Sequence, residues 1–184
     1  MDRVEGLIGA YREHVERPWR RDLSGPERVW IAVYPPEIER RLRVRFAEFE
    51  LATKDAGHGW RHIDVTRSFS DWLAAKEYRE AYFENPDDLK TALPGFAAEV
   101  ERHLLETLTS GDDPEHTVVA LSGIGALYPM AHVSTLIQRV ATDIRGRLLV
   151  FFPGTLEHGN YRLLDARDGW NYLAIPITIP EGTR

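Results

Sequence analysis

The run Val29-Trp30-Ile31-Ala32-Val33-Tyr34, closed by Pro35-Pro36, limits the fold more than any other stretch of the chain. A strand with one face in water alternates apolar and polar residues. An unbroken apolar run of this length reads instead as a strand buried on both faces, and such strands belong to sheets covered by helices on either side. The neighbouring segments supply those helices. Val4, Leu7, Ile8, Tyr11 and Val15 recur at the helical spacing of i, i+3, i+4, i+7 and i+11, and Pro18 ends the pattern. From Pro36 to Ala56, Ile38, Leu42, Phe46 and Phe49 share one helical face, and Gly57-His58-Gly59 closes the segment.

The alternation continues. A second strand is expected over 60–65, followed by a helix over 71–83 for which Thr66, Ser68 and Ser70 offer N-caps. Residues 86–110 read as helix with a break at Pro94-Gly95. A third strand over 117–122 runs into Gly123-Ile124-Gly125, then a helix that aligns Val133, Leu136, Ile137 and Val140. A fourth strand over 147–152 ends at Pro153-Gly154, a polar loop of about 16 residues follows, and the last strand covers 172–177. The expectation is a single three-layer α/β domain over 1–184, with a mostly parallel sheet of about five strands. Residues 1–24 form its N-terminal helix and linker, and 25–184 its core. Ligands of such sheets sit at the carboxyl ends of the strands. Those ends are Tyr34-Pro35-Pro36, Asp64-Val65-Thr66, Ser122-Gly123-Ile124-Gly125 and Pro153-Gly154.

Composition removes several classes of function. With no cysteine there is no disulfide, thiolate metal ligand or cysteine nucleophile, as suits a reducing compartment. The start, Met1-Asp2-Arg3-Val4-Glu5, lacks the apolar segment of a signal peptide. Apolar runs fall far short of the roughly 20 residues that span a bilayer. The expected location is therefore the cytoplasm, with no membrane partner. The net charge is −6, from 23 basic and 29 acidic residues, which argues against phosphate-driven nucleic-acid binding as the main activity.

Short motifs fail one by one. Gly154-Thr155-Leu156-Glu157-His158-Gly159 has the spacing of a phosphate-binding loop, but Asn160 and Tyr161 stand where lysine and a hydroxyl are required, and Glu157 places a negative charge in the cradle. Gly123-Ile124-Gly125 begins like a dinucleotide fingerprint but reaches Tyr128 at the third glycine, so a tight turn explains it. His58 and His62 straddle a glycine turn, and His116 lies in the polar turn Asp112-Asp113-Pro114-Glu115-His116, so no metal set forms. Ser122 lacks a nucleophile elbow. Asp64 stands where many α/β enzymes hold a catalytic acid, or where a carboxylate caps the next helix. Arg40, Arg41, Arg43 and Arg45 are offset by Glu37 and Glu39 through i, i+4 pairs with Arg41 and Arg43. Arg17, Arg20 and Arg21 around Trp19 are less neutralised and suit a partner contact, while core packing of Trp19 is the competing use. No catalytic constellation emerges, and no cofactor is expected.

Longer strings carry a resemblance. Glu48-Phe49-Glu50-Leu51-Ala52-Thr53 with Ala56-Gly57-His58-Gly59-Trp60, Glu77-Tyr78-Arg79-Glu80-Ala81-Tyr82-Phe83-Glu84, the stretch from Asp143 to Gly154, and Asn160 to Tyr172 together resemble the BrxB family, a small component of BREX bacteriophage-exclusion systems. The resemblance implies an α/β domain like a nucleotide-binding fold without its phosphate loop and a binding role beside the alkaline-phosphatase-like protein PglZ, and it supplies no established catalytic residues to carry over. On that expectation the docking residues are Trp19, Arg20 and Arg21, with Tyr161, Arg162, Arg167, Trp170 and Tyr172 of the later loop. A competing expectation is a ligand sensor or vestigial nucleotide binder using Asp64, Gly123, Gly125 and Gly154. Self-association is open under either.

Overall fold

Alternate side chains of the central strand face two separate cores. In β1 (Val29–Tyr34) every residue is buried: Val29, Ile31 and Val33 join one hydrophobic cluster, and Trp30, Ala32 and Tyr34 the other. This is the physical content of the unbroken apolar run. The computed structural model describes residues 2–164 and 170–183.

The sheet is mixed. Five strands lie in the order β2 (Gly59–Asp64), β3 (Thr117–Ser122), β4 (Arg147–Glu157), β1 and β7 (Ile175–Thr178), with each neighbouring pair parallel. Two short antiparallel strands, β5 (Asn160–Leu163) and β6 (Trp170–Asn171), extend from the far half of β4. The expected loop after Gly154 is thus a β-hairpin. β4 runs on to Glu157, and His158 and Gly159, with φ of 51° and 80°, make the two-residue turn. Positive φ at both turn positions matches the twist of the flanking strands. The last strand is correspondingly shorter than expected and begins at Ile175.

Helices cover both faces. On one side α1 (Arg3–Val15), α2 (Glu39–Arg43) and α3 (Phe46–Asp55) bury Leu7, Tyr11, Leu42 and Phe49 against Trp30, Leu149 and Phe151. The Tyr11 hydroxyl and Thr53 Oγ1 lie 2.6 Å apart, and Thr53 donates to the Phe49 carbonyl at 2.7 Å, which joins α1 to α3 inside this core. On the other side, after α4 (Ser68–Ala74) and α5 (Arg79–Glu84), come α6 (Pro86–Thr109) and α7 (Val133–Val140), whose Phe96, Leu104, Leu136 and Ile137 pack on Ile31, Leu121 and Phe152. Each fully buried aliphatic or aromatic side chain contributes about 1.5–3 kcal/mol, so the two cores dominate any single polar contact.

Three helical expectations need correction. The segment after Pro36 is a 3-10 turn followed by α2 and α3, with the chain re-entering helix after Arg45. The expected helix over 71–83 starts earlier and is two helices, α4 and α5, and neither Thr66, Ser68 nor Ser70 supplies a side-chain cap to α4. The expected break at Pro94-Gly95 does not occur: α6 passes through both residues. Pro94 is exposed, so the carbonyl its missing N–H leaves free can be hydrated, and the Phe96 to Leu108 stripe continues to hold the helix to the sheet.

Candidate functional site

Because the five main strands are parallel, the sheet has two chemically distinct edges. At the carboxyl edge, Asp64 accepts hydrogen bonds from the Thr66 backbone N–H at 3.0 Å and hydroxyl at 2.5 Å, and it forms an ion pair with Arg43. Arg43 also donates to Thr66 Oγ1 at 3.1 Å and lies 3.5 Å from Glu39, which in turn accepts a bond from the buried Tyr34 hydroxyl. Partial burial raises the Asp64 pKa, but the bonds from Thr66 and the Arg43 cation outweigh it and hold the carboxyl below its ordinary value. Asp64 therefore closes a turn before α4, and its charge is met inside the protein. The Glu39–Arg43 pair forms as its spacing suggests. Glu37 and Arg41 instead bridge to α1, through Arg3 at 3.3 Å and through Asp2.

The same edge contains a serine and a histidine in contact. His62 Nε2 and Ser122 Oγ lie 2.8 Å apart, on adjacent strands. Ser122 is completely buried, so its hydroxyl has no open approach for a substrate. Burial and the Arg43 cation lower the His62 pKa more than Asp64 raises it. The open recess beyond, about 370 Å³, is lined by Pro36, Ala126, Pro153 and Leu164 beside the already paired Glu39, Arg43 and Thr66.

The amino edge differs. A cleft of about 670 Å³ opens between the 19–28 segment, the start of β2 and the turns before β3 and β4. It is lined by five arginines, namely Arg20, Arg21, Arg28, Arg145 and Arg147, two histidines, and one carboxylate, Glu115. Trp19 stacks on His58 with ring centroids 3.7 Å apart and 10° between planes, and the Arg147 guanidinium carbon lies 4.5 Å from the Trp19 ring centre. Arg147 is only 3% exposed, and it donates to the carbonyls of Gly146 at 2.9 Å and Arg20 at 3.0 Å. Arg28 donates to the carbonyls of Leu23 at 3.3 Å, Arg21 at 2.9 Å and Arg145. Among the described residues neither cation has a carboxylate within 4 Å. Burial, with Arg28 adding to it, pushes the Arg147 pKa down to about 10. His58 is lowered by burial and by the charges of His116 and Arg147. The Trp19 Nε1 and His58 Nδ1 atoms are buried in this wall without hydrogen-bond partners.

The residues expected to dock a partner divide between these two edges. Trp19 is half-buried and structural in part, while Arg20 and Arg21 are exposed on the cleft rim, where Arg20 pairs with Asp22 at 2.9 Å. Of the hairpin residues, Tyr161 is a correction: it is 3% exposed, and its hydroxyl donates to the Ala174 carbonyl at 3.3 Å, so its ring fills the core. Trp170 and Tyr172 stack at 4.8 Å and are half-buried against that core, and Arg162 is exposed on β5. Arg167 lies outside the described residues. Local patterning does not single out Arg28, Arg145 or Arg147, and it takes up His58 only as a metal ligand to be set aside; a cation at the mouth of each of two apolar strands, Val29–Tyr34 and Arg147–Glu157, is the signal that marks two of them.

The family model described as BREX protein BrxB matches residues 62–177. The chain belongs to the BrxB family. The match runs from within β2 to within β7, so it includes the β4–β5–β6 hairpin and the Arg145 and Arg147 side of the cleft. Trp19, Arg20, Arg21, Arg28 and His58, which complete the cleft of this BrxB-family chain, precede or lie outside the matched segment. No curated protein and no solved structure matches the chain. Among the described residues no three His, Asp or Glu side chains are grouped to hold a metal ion, and no helix is long and apolar enough to cross a membrane.

Proposed function

We propose that this BrxB-family component of a BREX phage-defence system is a non-catalytic adaptor that docks on PglZ through its carboxyl-edge hairpin. The observation that carries the reading is the construction of that hairpin. Its inner side is anchored, with Tyr161 edge-on to Phe152 at 5.7 Å and Trp170 at 5.8 Å from Tyr161. Its outer side offers Arg162, and just past β6 stands Leu173, 77% exposed. An exposed large apolar side chain and an exposed arginine carried on one firmly packed arm suit a protein contact, where a few apolar and arginine anchors carry most of the energy. The polar groups at the neighbouring strand ends support the same reading, because Asp64, Arg43 and Ser122 are already engaged with one another or with His62 and Thr66.

Co-expression with PglZ followed by size-exclusion chromatography with light scattering tests the proposal. The wild-type pair should co-elute at a defined mass. Arg162→Glu combined with Leu173→Asp should abolish co-elution while the free protein keeps its melting temperature, since both positions are exposed. Normal co-elution of the variant would exclude this surface, and separate elution of the wild-type proteins would exclude the partner.

A further inference from the structure

We propose that the amino-edge cleft binds a small di- or triphosphate ester, gripped by Arg21, Arg28 and Arg145 within the positive field of the buried Arg147. Three observations converge on an anion. The lining charges are one-sided: beside the carboxylate of Glu115 stand five guanidinium groups, of which Arg20 pairs with Asp22 and the other four have no carboxylate partner among the described residues. Two of those cations are held in place by backbone carbonyls rather than by acidic side chains, which orients them without neutralising them. Buried charges in folded proteins are ordinarily paired, yet Arg147, almost wholly buried, meets carbonyls, the faces of Trp19 and Trp30 and the like charge of Arg28, with no carboxylate within 4 Å among the described residues.

The shape of the ligand follows from the shape of the site. Arg28 gives three of its five N–H groups to carbonyls and keeps two for a ligand, in the planar fork that matches phosphate oxygens two at a time. Arg21 and Arg145 are exposed at the rim and free of carboxylate partners among the described residues. A volume of about 670 Å³ lies in the range of small-molecule sites. A concave cleft of that size admits a phosphate chain rather than a duplex, and the net charge of −6 disfavours a long polyanion. The site lies at the opposite edge of the sheet from the strand ends that usually hold nucleotides, and from the hairpin assigned to PglZ.

Isothermal titration calorimetry of the full chain with ATP, with inorganic triphosphate and with a short DNA duplex, at moderate salt, tests the inference. ATP and triphosphate should both bind. Arg21→Glu with Arg145→Glu should weaken both by at least about tenfold, and thermal melting should show that this variant remains folded. Arg162→Glu, at the other edge, should bind them as the wild type does, which separates a built site from general attraction and leaves the PglZ contact as an independent question. No heat with either phosphate at millimolar concentration, binding unchanged by the double charge reversal, or binding to DNA alone would each overturn the proposal.

Discussion

Arg28 and Arg147 stand side by side at the amino edge of the two central strands, each one residue before the paired Val29 and Leu148. Their positive charges lie close enough for Arg28 to lower the pKa of Arg147. The arrangement places two like charges at the mouth of the sheet, where water is partly excluded. Each is held by two or more carbonyl oxygens.

Replacing Arg147 by methionine tests what that cation is for. The substitution loses two hydrogen bonds and the contacts with Trp19 and Trp30, and it relieves the desolvation of an unpaired charge. These effects oppose each other, so the stability in urea should stay within about 1 kcal/mol of wild type. Affinity for triphosphate should fall by about tenfold. A loss of more than about 3 kcal/mol would show instead that Arg147 is chiefly a clamp on the amino edge.

Gly123 answers a different constraint. Its φ is +79°, and a Cβ there would lie 2.3 Å from Thr66 Oγ1 and 2.7 Å from Asp64 Oδ1. Gly123→Ala must therefore strain the backbone and displace the Asp64–Thr66 turn at once. The expected cost is about 2–3 kcal/mol, read from urea unfolding. A cost below about 0.5 kcal/mol would mean that the turn at the end of β2 yields freely.

The Tyr11–Thr53 bond joins the N-terminal helix to α3 among the apolar side chains of one core. Tyr11→Phe removes the phenol oxygen, yet Thr53 still donates to the Phe49 carbonyl, so no donor is stranded. About 1 kcal/mol should be lost. In a double-mutant cycle with Thr53→Val the coupling should be about 0.5–1.5 kcal/mol, and additive losses would show that the two hydroxyls do not interact.

What could be read from the chain follows the range of the interactions involved. Val29–Tyr34 and the Val4 to Val15 stripe were legible because burial on two faces, or on one helical stripe, is written in neighbouring residues. The hairpin after Gly154 was not, because its turn uses His158 at positive φ, a residue that gives little local signal for a two-residue turn. The intact α6 was missed because Pro94 falls on the exposed side, where the lost hydrogen bond is tolerated. The same limit governs the sites. Trp19 with Arg20 and Arg21 stood out as a local cluster. Arg145 and Arg147 join them only through the register of β4 on β1, and Arg43 reaches Asp64 across 21 positions. Local patterning also groups the hairpin aromatics with the Trp19 cluster as docking residues, although the parallel sheet puts them at opposite edges.

His14 should make the protein acid-sensitive. It packs edge-on against Trp30, with ring centroids 4.6 Å apart and 89° between planes. Burial first, and then the charges of Arg17 and Arg147, lower its pKa from 6.5 to about 4. Between those two values the unfolded chain binds a proton that the folded protein does not, so stability falls as pH drops through this window and is unaffected by His14 above it. Because the ring remains partly open to solvent, the loss attributable to His14 is about 1–2 kcal/mol rather than the full linkage value. His14→Phe keeps the aromatic edge on Trp30 and removes the titration. The variant should melt like wild type at neutral pH or slightly above it, and the gap should widen in its favour between pH 6.5 and about 4. Melting curves of the two proteins taken in parallel cancel the contributions of His58, His62 and the carboxylates, which titrate in both. Parallel declines with no widening gap would show that His14 is protonated in the folded state and that the acid response arises elsewhere.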